Sequence, residues 1–356
     1  MAENDEPVQI ISPLDLPQLY SRPSAEELFK ILGQFSRASQ QTNFSGPTPA
    51  DEDDGTEGLC AAPGTGFFDW LTGLVASPLQ WIDDSNLREE IWDQASTLMA
   101  ERCGRTAAPT ITRRIQIDGM REALIKLGKI SDTEKNTDVD IQLIEPSLTE
   151  DLLGLKTWGS SYILARRLVR DALLPQSKLK LAGPALELGT GTGLVGLVAA
   201  RLGLPVTLTD LPEIMPNLRA NIDQNMLSGI ILSPTDPSFS PPAQPLDWSD
   251  PSEFLQTHKP QSFKTVLVSD PIYSPQHPAM VVRTIAAFLS REPGSKLVLQ
   301  LPLRRGFDDL RTDLYGLLVK AGLCRIEYEE EEGYDDFGAG KFAYSLWEWA
   351  DAHEKQ

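Results

Sequence analysis

Residues 184–203 read P-A-L-E-L-G-T-G-T-G-L-V-G-L-V-A-A-R-L-G, and no other stretch limits the fold as strongly. A short apolar run holding one acid, three glycines at alternate positions and then a strongly apolar helical run describe a buried strand turning sharply into a helix. Glycine lacks a Cβ, so its backbone reaches angles other residues avoid and a ligand can approach the main chain. The helix that follows aims its first free amides at whatever lies in the turn. The stretch predicts a cofactor cradle and leaves the cofactor open. Gly191, Gly193 and Gly196 satisfy the dinucleotide spacing G-x-G-x-x-G, and Asp210 follows at the distance expected of a ribose-binding acid. On this stretch alone a nicotinamide cofactor fits.

The surrounding pattern is α/β from about Leu148 onward. Strands are predicted at 185–188, 206–209, 264–269, 296–301, 324–329 and 342–349. Helices are predicted at 160–173, 194–202, 277–290 and 307–321, with another running through Asn225. Alternating strands and helices imply a doubly wound, mainly parallel sheet. The last two strands are joined by a connection too short for a crossover helix, so they form an antiparallel pair at one edge. A proline-rich stretch, 233–245, reads as an insertion ahead of L-D-W at 246–248.

Before this domain the chain changes character three times. Ser24 followed by Glu27 is a capping box, and Leu28, Ile31, Leu32 and Phe35 share one helical face, so residues 1–38 are read as a segment holding a short helix. Residues 39–66, rich in Gln, Thr, Pro and Gly with an acidic run at 51–54, bury too little apolar surface to order and are read as a flexible linker. Residues 67–147 return to helical patterning, with Trp70, Trp81 and Trp92 as bulky apolar positions, and read as helices packed on the catalytic domain. Alternation at 111–117 and 139–144 suggests a leading hairpin. Residues 148–356 are the main domain.

The chain has a net charge of -19, which argues against nucleic acid as a direct substrate and suits a basic protein partner or simple solubility. No apolar stretch approaches the roughly eighteen residues a membrane helix needs. The first ten residues carry Glu3, Asp5 and Glu6 and no basic residue, unlike a secretory signal. Cys60, Cys103 and Cys324 are scattered and only three histidines are present, which gives neither a disulfide framework nor a zinc spacing. A cytoplasmic protein without a metal is expected, acting as a monomer.

A second chemical constellation follows the strand at 264–269: S-D-P-I-Y at 269–273. In a sheet of this topology Asp270 and Tyr273 face the same crevice as the glycine turn. A carboxylate and a proline-containing turn supply acceptors for an amine, and an aromatic ring flanks it by packing and cation–π contact. An Asp-Pro turn with a core tyrosine is the ordinary use of these residues, and their position beside the cradle favours an amine site instead.

Three features move the cofactor away from a nicotinamide: Glu187 within the strand, glycines at 189, 191 and 193, and the antiparallel last strand. Together they resemble the class I, seven-β-strand S-adenosylmethionine-dependent methyltransferases, a Rossmann-like doubly wound fold, here with an N-terminal helical extension. The ordered set E-L-G-T-G-T-G-L-V-G, T-L-T-D-L-P-E followed by Asn221 and Asn225, L-D-W and D-P-I-Y is similar to the family 16 protein-lysine methyltransferases. The resemblance covers about residues 140–349 and leaves the first hundred uncovered. It implies a cofactor site of Trp158, Glu187, Gly189, Thr190, Gly191, Gly193, Asp210, Trp248 and Ser269, with Trp158 from T-W-G-S-S and Trp248 against the adenine. It implies catalytic Asp270 and Tyr273, a lysine-containing protein substrate such as a fungal translation elongation factor, and in-line attack of the lysine amine on the sulfonium methyl. Asp270 is assigned to orienting the amine. The acids Glu329, Glu330, Glu331, Glu332, Asp335 and Asp336 read as a loop able to receive a basic substrate segment. A small-molecule N-methyltransferase and a noncatalytic interaction scaffold remain as alternatives.

Overall fold

The structure is a computed structural model that describes residues 16–40, 65–100, 110–133, 138–146, 153–227, 241–304, 306–335 and 338–350. Most of the expected linker, Cys60, Cys103, Asp336 and residues 233–240 of the proline-rich stretch lie outside the described residues. The chain divides into two compact units, Met1–Ile111 with Ser147–Glu150 and Thr112–Pro146 with Asp151–Gln356.

The first unit holds helices α1 (Ala25–Gln40), α2 (Thr65–Ala76) and α3 (Ser85–Ala100). The Ser24 cap forms as its spacing predicts: the Glu27 backbone N–H donates to Ser24 Oγ at 3.2 Å. Leu28 and Leu32 of α1, Leu71 and Leu74 of α2, and Ile91, Ala95 and Leu98 of α3 bury one common core. Each tryptophan of this unit packs, partly buried, against that core and uses its single donor. Trp70 donates to the Pro17 carbonyl at 2.8 Å, Trp81 to Pro23 at 2.9 Å and Trp92 to Ser77 at 3.0 Å.

The second unit begins with a two-stranded sheet of β1 (Ile111–Ile115) and β2 (Ile141–Glu145). Their connection contains α4 (Met120–Lys126), so the pair is not a tight hairpin. The main sheet holds β3 (Ala185–Leu188), β4 (Val206–Asp210), β5 (Ala243–Pro245), β6 (Thr265–Ser269), β7 (Lys296–Pro302), β8 (Leu323–Asp335) and β9 (Gly338–Trp349), in the order β5-β4-β3-β6-β7-β9-β8. Its helices are α5 (Gly159–Leu173), α6 (Leu194–Arg201), α7 (Met215–Leu227), α8 (Ser252–Thr257), α9 (His277–Phe288) and α10 (Asp308–Lys320). Strands β3, β4, β5, β6 and β7 are parallel, and β9 runs antiparallel to both β7 and β8.

Strand order reverses at β3, where Leu188 lies opposite Thr209 on one side and Val268 on the other. The crevice at the carboxyl ends of β3, β4 and β6 is therefore where an α/β sheet of this kind opens to a ligand. Strand alternation divides the core. Leu186, Leu188, Val266, Val268, Leu297 and Leu299 pack with α9 and α10, while Glu187 points the other way, toward Gly196 of α6.

Two expectations need correction. The stretch ending at Pro245 is not all insertion, because its last three residues form β5 at the sheet edge, where a proline lacking an N–H breaks no ladder. Glu329, Glu330, Glu331 and Glu332 are not a loop, because they lie within β8 and pair with β9 from Glu329↔Tyr344 to Glu332↔Lys341. Alternate acids are neutralised by α5: Arg167 Nη2 lies 2.7 Å from Glu329 and 3.0 Å from Glu331, and Arg166 lies 2.9 Å from Glu331. All four are therefore strand residues; Glu329 and Glu331 are taken up by these arginines, while Glu330 and Glu332 alternate with them and are exposed.

The two asparagines of α7 hold β2. Ile144 N–H donates to Asn221 Oδ1 at 2.7 Å, and Asn221 Nδ2 returns a bond to the Ile144 carbonyl at 3.2 Å. Asn225 repeats the exchange with Gln142 at 3.0 and 2.7 Å. Four helical residues rise about 6 Å, close to the roughly 6.6 Å of two strand residues, so an Asn-x-x-x-Asn face matches a strand's repeat. Asn221 Nδ2 also donates to the Thr192 carbonyl in the glycine turn at 2.9 Å.

Candidate active site

The turn after β3 needs its glycines for conformation and for space. Gly189, Gly191 and Gly193 have φ of 65°, 61° and 103°, a region costly for other residues. A Cβ on Gly189 would lie 2.9 Å from Trp248 Cζ2, and one on Gly191 would lie 3.1 Å from the Gly154 carbonyl oxygen. Thr190 ties the turn to β4, its N–H donating to the Thr209 carbonyl and its Oγ1 accepting the Thr209 N–H, both at 3.0 Å.

Asp210 ends β4 beside this turn. Its Oδ2 accepts the Gly191 N–H at 2.7 Å and its Oδ1 accepts the Leu211 N–H at 2.8 Å. Burial raises its pKa to about 6 in spite of these two bonds. Each oxygen keeps a second lone pair for a ligand hydroxyl.

Two tryptophans flank the turn. Trp158 caps α5 and donates its Nε1 hydrogen to the Leu153 carbonyl at 3.1 Å. The neighbouring Thr157 N–H donates to Glu145 Oε1 at 3.0 Å, and Glu145 is ion-paired with Arg113 at 2.9 Å, which anchors this segment to β2. The backbone carbonyl of Trp248 accepts from Arg283 at 3.0 Å.

At the end of β6, Asp270 adopts φ of 50°, uncommon for a residue other than glycine and doubly so before a proline. Its N–H donates to the Gln300 carbonyl at 2.9 Å, and its Oδ2 lies 2.9 Å from Arg304 Nη2. Strain of this kind persists where surrounding structure enforces it, commonly at functional sites. Tyr273 is 50% exposed at the rim, its ring edge-on to His277 with centroids 4.0 Å apart. His277 Nδ1 accepts the Tyr273 N–H at 3.3 Å, its ring meets Trp248 edge-on at 6.1 Å, and burial lowers its pKa. Accepting at Nδ1 requires that nitrogen to be unprotonated, so His277 spaces Tyr273 from Trp248 as a neutral ring.

These residues enclose one cavity of about 350 Å³, within the size range of small-molecule sites. Of the residues expected to serve the cofactor or the reaction, Trp158, Gly189, Thr190, Gly191, Asp210, Trp248, Ser269, Asp270 and Tyr273 line it. Glu187 and Gly193 do not. Glu187 is buried behind the turn, and burial raises its pKa to about 8 against the opposing hydrogen bonds of Thr190 and the Gly196 main chain, which favours its protonated form. Its placement follows from strand alternation, which sends it to the α6 face. Gly193 is the N-cap of α6. Lys156, His277 and Arg304 also line the cavity and carry no local sequence signal, because only the tertiary fold brings them there. Among the described residues no cluster of metal-ligating side chains occurs, and no helix is long and apolar enough to cross a membrane.

Residues 135–308 match the family described as Lysine methyltransferase. The chain is 35% identical over 297 residues to "Protein-lysine N-methyltransferase EFM2" of Saccharomyces cerevisiae, covering 77% of this chain and 64% of that one. It thus spans just under two thirds of that relative's length. Over 282 residues it is 31% identical to "Protein-lysine N-methyltransferase rrg1" of Schizosaccharomyces pombe, covering 77% of this chain and 81% of that one. A shorter match, 32% over 128 residues, joins 36% of this chain to 40% of "Protein-lysine methyltransferase METTL21E" of Bos taurus. With one relative matched across four fifths of its length and a cradle, a buried acid and an Asp-Pro-Ile-Tyr turn meeting in one cavity, the chain belongs to the lysine methyltransferase family.

Proposed function

We propose that the chain is an S-adenosylmethionine-dependent protein-lysine N-methyltransferase, acting as a cytoplasmic monomer on a translation factor such as an elongation factor. The observation that carries the reading is the meeting of the glycine turn with Asp270 and Tyr273 in one cavity at the reversal of strand order. The residues fit the cofactor: the turn is a cradle that Cβ atoms would fill, and Asp210 is an acceptor placed for a ribose diol. When bound, S-adenosylmethionine supplies an electrophilic methyl group on a sulfonium.

The chain's own part is binding and alignment. The main chain at Gly189 and Gly191, Asp210, Trp158, Trp248 and Ser269 would hold the cofactor, and Glu187 supports the turn from behind. Asp270 accepts hydrogen bonds from the acceptor amine and fixes its direction, and Tyr273 packs against the lysine stem. A lysine of ordinary pKa, about 10.4, is protonated at neutral pH, so a neutral amine must be selected before attack. Holding the amine in line supplies much of the rate. Half exposure of Tyr273 supports a substrate that approaches from outside, as a protein side chain does.

The test is incubation with labelled S-adenosylmethionine and a lysate from cells lacking this protein. Label in a protein band, on lysine, is expected. Label confined to small molecules would sink the protein-substrate reading.

A further inference from the structure

The turn joining β6 to α9 is anchored before Tyr273 by Asp270, whose N–H reaches the Gln300 carbonyl, and by Ile272, which is buried in the core. Tyr273 follows at the cavity rim with half its surface exposed. A half-exposed side chain keeps its rotamer freedom unless a neighbour removes it, and a substrate that packs on a mobile ring must offset the ordering cost. His277, the first residue of α9, is that neighbour. Its Nδ1 accepts the Tyr273 N–H at 3.3 Å, and its ring stands at 80° to the tyrosine with centroids 4.0 Å apart. The histidine is itself fixed, because its N–H donates to the Ser274 carbonyl at 3.1 Å and the buried Pro278 follows it in the first helical turn.

On its other side the His277 ring meets Trp248 edge-on at 6.1 Å, so one imidazole stands between the cofactor side of the cavity and the acceptor side. The two sides depend on it unequally. Trp248 has further supports: Arg283, from the same helix, donates to its carbonyl at 3.0 Å and to that of Ser249 at 3.3 Å, and its ring fills the space over Gly189. Tyr273 takes both a main-chain acceptor and a ring contact from His277. We propose that His277 is a positioning residue for the acceptor side of the site, holding Tyr273 through Nδ1 and through its ring where the stem of an incoming lysine packs. The assignment rests on the methyl-transfer reading above. It makes His277 a determinant of how well the lysine is received, acting through Tyr273 and not through the cofactor.

The experiment compares His277→Leu, His277→Asn, Tyr273→Ala and the double variant His277→Leu with Tyr273→Ala against the unsubstituted chain, each checked for folding by circular dichroism. Asparagine puts its Oδ1 where Nδ1 stands and so keeps an acceptor for the Tyr273 N–H, whereas leucine keeps bulk and offers none. His277→Gln, whose amide lies one bond further out, takes the place of His277→Leu if that chain fails to fold. Calorimetry gives the affinity for S-adenosylmethionine, and kcat/KM is measured with the acceptor protein identified by labelling. His277→Leu should lower kcat/KM about tenfold, the scale of one hydrogen bond and one ring pair together. His277→Asn should lower it only about threefold, because the hydrogen bond survives. Cofactor affinity should stay within about threefold in both, since one edge contact to Trp248 is all that side loses. The double variant should be no slower than Tyr273→Ala, as expected of a residue that acts through another. His277→Asn as slow as His277→Leu, additive losses in the double variant, or cofactor affinity falling in step with kcat/KM each overturn the His277 assignment alone. An unsubstituted chain that does not bind S-adenosylmethionine, or labels no protein, overturns the proposed function and this assignment with it.

Discussion

Gly196 and Glu187 share one space behind the glycine turn: a Cβ on Gly196 would collide with Glu187 Oε2 and lie 2.7 Å from Leu208 Cγ. Gly196 is thus the third glycine of a dinucleotide-like spacing, used here for helix–strand packing. Replacing Gly196 with alanine should destabilise the second unit by about 1–3 kcal/mol, as overpacking does. Urea unfolding reads the change, and an unshifted midpoint would show that the helix yields without cost.

Glu187 makes stability depend on pH. Its folded pKa of about 8 exceeds the ordinary 4.5 because burial penalises the charge. A raised pKa gives stability that is complete below the unfolded value and is lost as pH rises through the folded one. Between pH 4.5 and 8 this group should therefore erode stability by roughly 1.4 kcal/mol per unit. Glu187→Gln should remove that slope, and parallel stability–pH curves for the two chains would contradict the buried, protonated carboxyl.

Asp210 predicts an acid limit to cofactor binding. With a folded pKa of about 6, it loses one acceptor face when protonated. Affinity for S-adenosylmethionine should be flat above pH 7 and weaken about tenfold per unit well below 6. Calorimetry across this range checks it. Asp210→Asn should abolish the pH dependence while binding more weakly throughout.

Asp270 separates binding from transfer. Asp270→Ala should lower kcat about a hundredfold or more through loss of alignment, with cofactor affinity changed no more than a few fold. Single-turnover transfer and calorimetry on the same sample distinguish the two effects. Activity close to that of the unsubstituted chain would remove Asp270 from the amine site.

Asn221→Ala strips the Ile144 backbone of both partners and the Thr192 carbonyl of one. Leaving buried donors and acceptors unpaired costs about 1–3 kcal/mol each. The loss should appear as lower thermal stability and as faster hydrogen exchange at the Ile144 amide. Equal protection in both chains would show that water replaces the side chain.

Local signals made much of the site legible. The glycine turn, the acid closing β4 and the Asp-Pro-Ile-Tyr turn are each written within a few consecutive residues, and period-two and period-3.6 patterns place them at adjacent strand ends. What stayed hidden depends on distant partners. The Glu329 run looks like a solvated loop until Arg166 and Arg167 of α5 neutralise alternate residues, which makes a strand tolerable. The three-residue β5 is too short for a periodic signal and ends in a proline that argues against a strand. Arg304 and His277 belong to no motif, and they are brought to the site by contacts with residues distant in sequence or outside any motif, Asp270 and Trp158 for the one and Tyr273 and Trp248 for the other.

The clasp of Asn221 and Asn225 on Gln142 and Ile144 frees β2 from its own predecessor in the chain. A strand held only by β1 would inherit every change in the segment between them. Pinned from α7 instead, it keeps its register whatever length the α4-to-β2 connection takes, since lengthening a surface loop adds little free energy. Insertions in that connection should therefore leave the glycine turn undisturbed, which makes it the natural place in the second unit to add a tag or a new recognition segment.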